Sequence, residues 1–85
     1  MITARQARAA RALLGWTQET LADKALVSLT ALKRLESDHD LKVHESTRDQ
    51  IRRALEAAGI VFLASDRGEG VMIVQGAEKR DLASS

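Results

Sequence analysis

Cysteine is absent from this chain of 85 residues, and Trp16 and Phe62 are its only phenylalanine, tyrosine or tryptophan residues. Without cysteine there is no disulfide, no thiolate ligand for zinc and no thiol nucleophile, which fits a reducing cytoplasm. Two aromatic side chains are too few for a platform that stacks single-stranded nucleic acid. No apolar run approaches the roughly 20 residues that cross a bilayer, and the first residues lack the apolar segment of a secretory signal. We therefore expect one small, soluble, cytoplasmic domain with no membrane partner.

The chain also lacks the motifs typical of enzymes. It has no glycine-rich phosphate loop and no nucleophile elbow. His39 and His44 lie near the carboxylates of Asp38, Asp40 and Glu45, but they show neither regular helical spacing nor a second ligand cluster. Nothing indicates a pocket that would suit the pair Asp38 and Asp40 for acid–base catalysis. The sequence therefore predicts no catalytic residue, no metal site and no cofactor.

Charge is distributed unevenly along the chain, although the net charge is only +1. Residues 1–36 carry six basic and three acidic side chains, whereas residues 37–85 carry seven basic and nine acidic ones. The excess of positive charge in the first part is where a polyanion such as nucleic acid would be attracted. By itself, this pattern fits ordinary solvated helix surfaces equally well.

Three helices with short connections are predicted in the first part. Residues 3–14 are rich in alanine and arginine, with Thr3 as a candidate N-cap, and Gly15 follows where a helix often stops. Thr17 begins a second helix of about two turns, and Ser28 begins a third that runs to Ser37. Because the joint between these two helices is too tight for an ordinary loop, the layout predicts a helix-turn-helix.

The second part predicts one more helix and a β-hairpin. After a polar loop over residues 38–46, Thr47 and Gln50 have the spacing of a capping box, and the helix ends near Gly59. Two β-prone runs, residues 60–64 and 71–74, flank a segment rich in turn residues. The polar end is expected to fray. The predicted organisation is a helix-turn-helix domain over residues 1–59, a hairpin extension of the same domain over 60–75 and a flexible tail over 76–85.

The segment LGWTQETLADKALVSLTALKRLE, residues 14–36, resembles the helix-turn-helix of phage-repressor-like proteins, the Xre or Cro/C1 type. Its apolar positions match those that join the two helices of that motif, and Ala22 matches the small residue at their crossing; the apolar residues are Leu21, Ala25, Val27, Leu32 and Leu35. The resemblance implies a mainly α fold: a four-helix lambda-repressor-like domain followed by the predicted hairpin. It also implies a bacterial-type transcription regulator that binds double-stranded DNA and acts at the nucleoid.

In such proteins the third helix lies in the major groove of DNA. The resemblance therefore implies that base edges are contacted by Ser28, Leu29, Thr30, Lys33 and Arg34. It further implies phosphate contacts from the start of the second helix and from the loop after the third, at Thr17, Gln18, Lys42 and His44. Arg11 and Glu36 match the positions of a structural ion pair in that family, although two independent surface charges are the plain alternative.

Leu26 departs from the family pattern, which has glycine at this turn because the backbone there is left-handed. Either Leu26 tolerates a strain of about 1 kcal/mol, or the turn is built differently. A leucine here and the exposed position of Leu29 also leave a second reading open. In that reading the chain is a protein-interaction module, like an antitoxin or antiactivator, that grips a partner protein through the helix-turn-helix or the hairpin.

A homodimer is expected, because one recognition helix reads too few base pairs to find a single genomic site. Two copies related by a two-fold axis would read an inverted repeat whose half-sites lie about 34 Å apart. The hairpin is the candidate for self-association, since isolated hairpins are marginal and expose strand edges. We expect it to bury Ile60, Phe62, Val71 and Ile73, or the alternate residues, against a second copy. The alternative is a hairpin that folds onto its own helices.

Overall fold

A computed structural model describes residues 1–37, 39 and 41–74 of the chain. It confirms the expected fold class, in which four helices are followed by a two-stranded antiparallel hairpin. The elements are α1 (Ala4–Leu14), α2 (Gln18–Ala25), α3 (Leu29–Leu35), α4 (Glu45–Ala57), β1 (Ile60–Ser65) and β2 (Gly68–Ile73). The predicted tail over residues 76–85 lies outside the described residues, as do Asp38, Asp40 and Gln75.

Local interactions explain where the first helix, α1, begins and ends. Thr3 accepts a hydrogen bond from the Gln6 backbone N–H at 3.2 Å, and the Gln6 side chain accepts one from the Thr3 N–H at 3.1 Å. This reciprocal capping box satisfies two backbone groups that the helix leaves unpaired. Gly15 ends the helix with φ 71°, a left-handed conformation that glycine adopts without steric cost.

The turn of the helix-turn-helix lies between α2 and α3. Thr17 and Ser28 cap the two helices by accepting from the backbone N–H groups of Thr20 and Ala31. Leu26 between them has φ 58° and ψ 41°, and its backbone N–H closes the end of α2. Of the two alternatives for this turn, the structure therefore shows the left-handed leucine, which is also 84% exposed.

The fourth helix begins earlier than expected. The predicted capping box at Thr47 and Gln50 is wrong, because α4 already starts at Glu45 and its N-cap is His44, which makes no side-chain capping bond. An acidic residue in the first turn favours this earlier start through its interaction with the helix dipole. The third helix also ends earlier, at Leu35 instead of the predicted Ser37, so that residues 36–44 separate α3 and α4 where the sequence predicts a loop over 38–46.

The core lies where the helices meet. Its largest fully buried side chains come from α2, α3 and α4 and are Leu21, Leu32, Ile51 and Leu55. Ala7 and Ala10 are completely buried on α1, and Ala22 is 5% exposed on α2, so small side chains let these helices approach closely. Burial of each large aliphatic side chain contributes roughly 1.5–3 kcal/mol, and this packing fixes the orientation of α3.

The hairpin is longer and its turn tighter than the sequence predicts. The strands pair from Ile60↔Ile73 to Ser65↔Gly68, so only Asp66 and Arg67 connect them. Gly68 allows this close turn, since its φ of 153° is one that other residues rarely adopt. Strand β2 lies against α1 and β1 lies near α4, so the hairpin packs on its own helices.

Candidate nucleic-acid interface

An open groove runs between the start of α3 and the segment before α4. The N-cap Ser28 lines it together with Thr30 and Arg34 of α3, which are four residues apart and share one helix face. Lys42 and His44 line it from the opposite side. The groove therefore brings together three candidate base contacts and two candidate phosphate contacts.

The cations of this surface have no carboxylate partner among the described residues. The side chains of Lys33, Arg34 and Lys42 are exposed and make no hydrogen bond or ion pair with any residue in the described part of the chain. The Arg67 side chain at the hairpin turn shares this property, while the Arg67 backbone N–H donates to Ser65 Oγ at 3.1 Å. An unneutralised cation retains its full attraction for phosphate, which is the main source of affinity for DNA.

Two candidate base contacts lie outside the groove. Leu29 is half-buried and packs against the core, so less of its side chain faces solvent than the sequence suggests. Lys33 is exposed, but it lies three residues from Thr30 and does not line the groove. The hydroxyl of Ser28 is already used as an acceptor, from the backbone N–H of Ala31 at 3.0 Å, which leaves its hydrogen for donation.

The two remaining phosphate candidates are at the start of α2. The Thr17 hydroxyl accepts from the backbone N–H of Thr20 at 3.1 Å and is exposed. Gln18 is half-buried, and its Nε2 donates to Oε1 of Glu36 at 3.0 Å. This bond holds the Gln18 side chain against the end of α3, and the second amide hydrogen remains for another acceptor.

Glu36, whose side chain is 2% exposed, joins three elements just after α3. The Nε and Nη2 atoms of Arg11 donate to its two carboxylate oxygens, each at 2.8 Å, in a bidentate ion pair. Arg8 Nη1 donates to the Glu36 backbone oxygen at 2.6 Å, and Arg11 Nη1 donates to the Trp16 backbone oxygen at 3.1 Å. The hydrogen bonds that Arg11 donates to the Glu36 carboxylate raise the pKa of the Arg11 guanidinium above its usual value despite partial burial. These contacts fix α1, α2 and α3 relative to one another.

Comparison with known proteins agrees with this geometry. A helix-turn-helix family model matches residues 8–43. This segment is a helix-turn-helix of the Xre/Cro-C1-like family. The family is a DNA-binding and not an enzymatic one, so the match supports a DNA-binding regulator in general. No curated protein matches the chain.

Sequence reasoning missed three residues around this helix-turn-helix. Thr47 is half-buried and lines the groove from the first turn of α4. Arg48 donates from Nη1 to the Ile2 backbone oxygen at 2.7 Å, which fastens the chain start to α4. Gln6 caps α1 and also contacts the hairpin. Only the Thr3–Gln6 spacing, which is that of a capping box, carried a sequence signal.

The hairpin residues expected at a dimer contact lie on the face that covers the helix-turn-helix domain. Ile60 is 2% exposed, and Phe62, Val71 and Ile73 pack against the same core. These four are paired across the strands, as Ile60↔Ile73 and Phe62↔Val71, and therefore share one face of the sheet. Their own helices thus cover these four residues, which the sequence predicts to lie against a second copy.

The described residues contain neither a cluster of metal ligands nor a membrane-spanning helix. Across residues 1–37, 39 and 41–74, no three His, Asp or Glu side chains are grouped as a metal ion would require. Within the same ranges, no helix has both the length and the apolar content needed to cross a membrane.

Proposed function

We propose that this chain is a sequence-specific regulator of transcription, a repressor or autoregulator, that binds an inverted-repeat operator in double-stranded DNA as a homodimer. The observation that carries the proposal is the groove lined by Ser28, the N-cap of α3, by Thr30 and Arg34 of α3, and by Lys42 and His44. Its cations lack partners among the described residues and are available to DNA. A regulator of this kind acts by occupying its operator, at the nucleoid.

Base recognition is assigned to the exposed side of α3, placed in the major groove. Arg34 would donate two hydrogen bonds to guanine O6 and N7, and Thr30 would contact a thymine methyl group or a base edge. Ser28 would donate its hydroxyl hydrogen, whereas Leu29 and Lys33 would contact the flanks of the same base pairs. Each well-placed bidentate contact discriminates against a wrong base by about 1–3 kcal/mol.

Phosphate contacts are assigned to both ends of this surface. Lys42 and His44 would meet the backbone beside the groove, while Thr17 and Gln18 would meet it at the start of α2, where backbone N–H groups point outward. The bond from Gln18 to Glu36 supports this role, because it orients the amide before DNA arrives. These contacts would set affinity and position without reading sequence.

The homodimer is proposed to form through the outer face of the hairpin. This face carries Val61, Leu63 and Met72, which are 36%, 47% and 48% exposed, and Gly70 lies opposite Leu63. Its other members are Ser65 and Gly68, so the face holds no charged side chain. An antiparallel sheet with one face on the core normally presents polar residues to water on the other. A two-fold mate that offers the same apolar face would cover it.

The decisive experiment for DNA binding is selection from sheared genomic DNA of the source organism, at about 0.15 M salt so that non-specific attraction is partly screened. Sequencing of the retained fragments is expected to show a short inverted repeat with half-sites one helical turn apart. Uniform or absent retention would contradict the proposal. That outcome would instead favour a protein-interaction module, for which the 84% exposed Leu26 beside α3 is the supporting observation.

The dimer contact is tested by Leu63→Asp with Leu13→Asp as its matched control. Both leucines are similarly exposed, at 47% and 46%, but Leu13 lies on α1. A charge in the proposed interface would be buried without a partner, so Leu63→Asp is expected to yield monomers in sedimentation at micromolar concentration. Leu13→Asp is expected to remain dimeric. A monomeric parent chain, or equal behaviour of the two variants, would contradict this interface.

A further inference from the structure

Gln6 links the first helix to both strands of the hairpin. Its side chain is almost completely buried, with the residue 5% exposed. The Nε2 atom donates to the backbone oxygens of Leu63 at 3.1 Å and Gly70 at 3.0 Å, which are register partners on β1 and β2. The Oε1 atom accepts from the Thr3 backbone N–H. One amide therefore holds the start of α1 and both strands in a single geometry.

The same helix holds the recognition helix from further along its length. Arg11 and Arg8, both on α1, bind the carboxylate and the backbone oxygen of Glu36 just after α3. Gln6 and Arg11 lie about 7.5 Å apart along the helix axis, at 1.5 Å per residue. Helix α1 is thus hydrogen-bonded to the hairpin near one end and to the end of α3 near the other.

We propose that Gln6 is a positioning residue that fixes the orientation of the hairpin relative to α3 and thereby sets the spacing between operator half-sites. This inference rests on the proposed function, in which the hairpin joins two copies and α3 reads DNA. The apolar contacts of Ile60 and Phe62 hold the hairpin on the helices but are non-directional. The hydrogen bonds of Gln6 depend on angle and restrict rotation.

Half-site spacing is a sensitive measure of that orientation. With about 10 base pairs per helical turn, each added base pair rotates the second half-site by about 35°. A rigid dimer binds both half-sites at one spacing only, whereas a dimer with a loosened hairpin accommodates neighbouring spacings. Spacing preference therefore reports on hairpin orientation, and affinity for a single half-site does not.

The test uses Gln6→Glu, Gln6→Met and the control Arg5→Ala in the full chain. Glutamate retains an acceptor for the Thr3 N–H but donates nothing to the hairpin, and methionine removes the donors without adding charge. Arg5 binds Glu69 on β2, the strand that carries Gly70, at 2.9 Å. Because the Arg5 side chain is 77% exposed, Arg5→Ala is expected to change the spacing preference little. Circular dichroism checks that all four proteins are folded.

Binding is measured to a single selected half-site and to inverted repeats whose spacing changes one base pair at a time. We expect the parent chain to bind its best repeat about 100-fold more tightly than one half-site, and neighbouring spacings at least about tenfold more weakly than the best. Both Gln6 variants are expected to bind the single half-site like the parent. Their affinities for repeats of neighbouring spacing are expected to differ by less than about threefold. Arg5→Ala is expected to keep the parent's preference.

The outcomes separate this inference from the proposed function. Gln6 variants that retain the parent's sharp spacing preference would overturn the positioning role and leave the proposed function intact. Gln6 variants that no longer bind the single half-site would overturn the positioning role too, since Gln6 would then be needed for folding in general. A parent chain that gains nothing from a second half-site would overturn the proposed dimeric regulator itself.

Discussion

The exposed surfaces of α3 and α4 both carry basic side chains, but their surroundings differ. On α4, Arg52 binds Asp49 and also Glu56 at 2.8 Å, and Arg53 binds Asp49 at 2.9 Å. On α3, Lys33 and Arg34 have no such partner within the described part of the chain. The α4 charges neutralise one another and leave little field for a polyanion. Pairing with neighbouring carboxylates, and not the number of basic residues, therefore distinguishes the candidate DNA surface.

The largest effect is expected from removal of the buried Glu36 carboxylate just after α3. Glu36→Ala would leave the Arg11 guanidinium, which is 20% exposed, without its bidentate partner, at an expected cost of about 3 kcal/mol in the free energy of unfolding. Glu56→Ala removes an exposed partner of Arg52 and is expected to cost less than about 1 kcal/mol. Urea unfolding followed by circular dichroism measures both. Equal losses would mean that burial of the carboxylate is unimportant.

The comparison of the two surfaces is tested directly by paired arginine variants. Arg34→Ala is expected to weaken binding to the selected operator by about 1–3 kcal/mol and to relax base preference at one position. Arg53→Ala removes an arginine that is already paired on α4, so operator affinity is expected to stay within about twofold. Fluorescence anisotropy with operator and single-substitution duplexes provides the measurement. Similar losses for the two variants would show that net charge alone drives binding.

The turn before α3 contains a residue with a strained backbone, Leu26, and substitution there measures the strain. Leu26 and Gly15 both end helices in the left-handed conformation, at φ 58° and φ 71°. Leu26→Gly is expected to raise the free energy of unfolding by up to about 1 kcal/mol through release of strain, and Gly15→Ala to lower it by about the same amount. Thermal unfolding compares them. If Leu26→Gly is instead destabilising, the leucine side chain must contribute contacts that outweigh the strain.

The smallest effect concerns the paired charges of α4. The hydrogen bond from Arg52 lowers the pKa of Asp49 below its usual range. A lowered folded pKa means that this group stabilises the fold above the unfolded value, about 4, and that the contribution is lost as pH falls through the folded value. Asp49→Asn is therefore expected to be slightly less stable than the parent at pH 7, with the difference vanishing in acid. Urea unfolding of the parent and of Asp49→Asn at a series of pH values measures this difference.

Local signals were sufficient for most of the helical layout. Thr3, Thr17 and Ser28 cap the helices that the sequence predicts after them, since a hydroxyl bonded to a nearby N–H is a local interaction. The predicted start of α4 was three residues too late, at N-cap Thr47 instead of His44, because Thr47 and Gln50 have capping-box spacing within a segment that is already helical. The hairpin turn was predicted too long, since the register that pairs Ser65 with Gly68 depends on contacts between strands.

The sequence predicted several residues of the candidate site but not which of them lie together in the groove. Helical spacing and family resemblance identified α3, and in the structure Ser28, Thr30 and Arg34 line the groove. Leu29 is turned partly into the core, and the Gln18 side chain is held by Glu36. Neither could be foreseen, because both depend on how α3 is rotated against α1 and α2.

By itself, the sequence determined the helices, the helix-turn-helix layout and the β-prone character of the last segment, since caps, periodicity and turn chemistry act over a few residues. Only the tertiary structure decided which cations remain unpaired and which hairpin face is exposed. It also joined Gln6 to the oxygens of Leu63 and Gly70, 57 and 64 residues away along the chain. Such long-range choices follow from packing of the whole core, in which every helix orientation depends on the others.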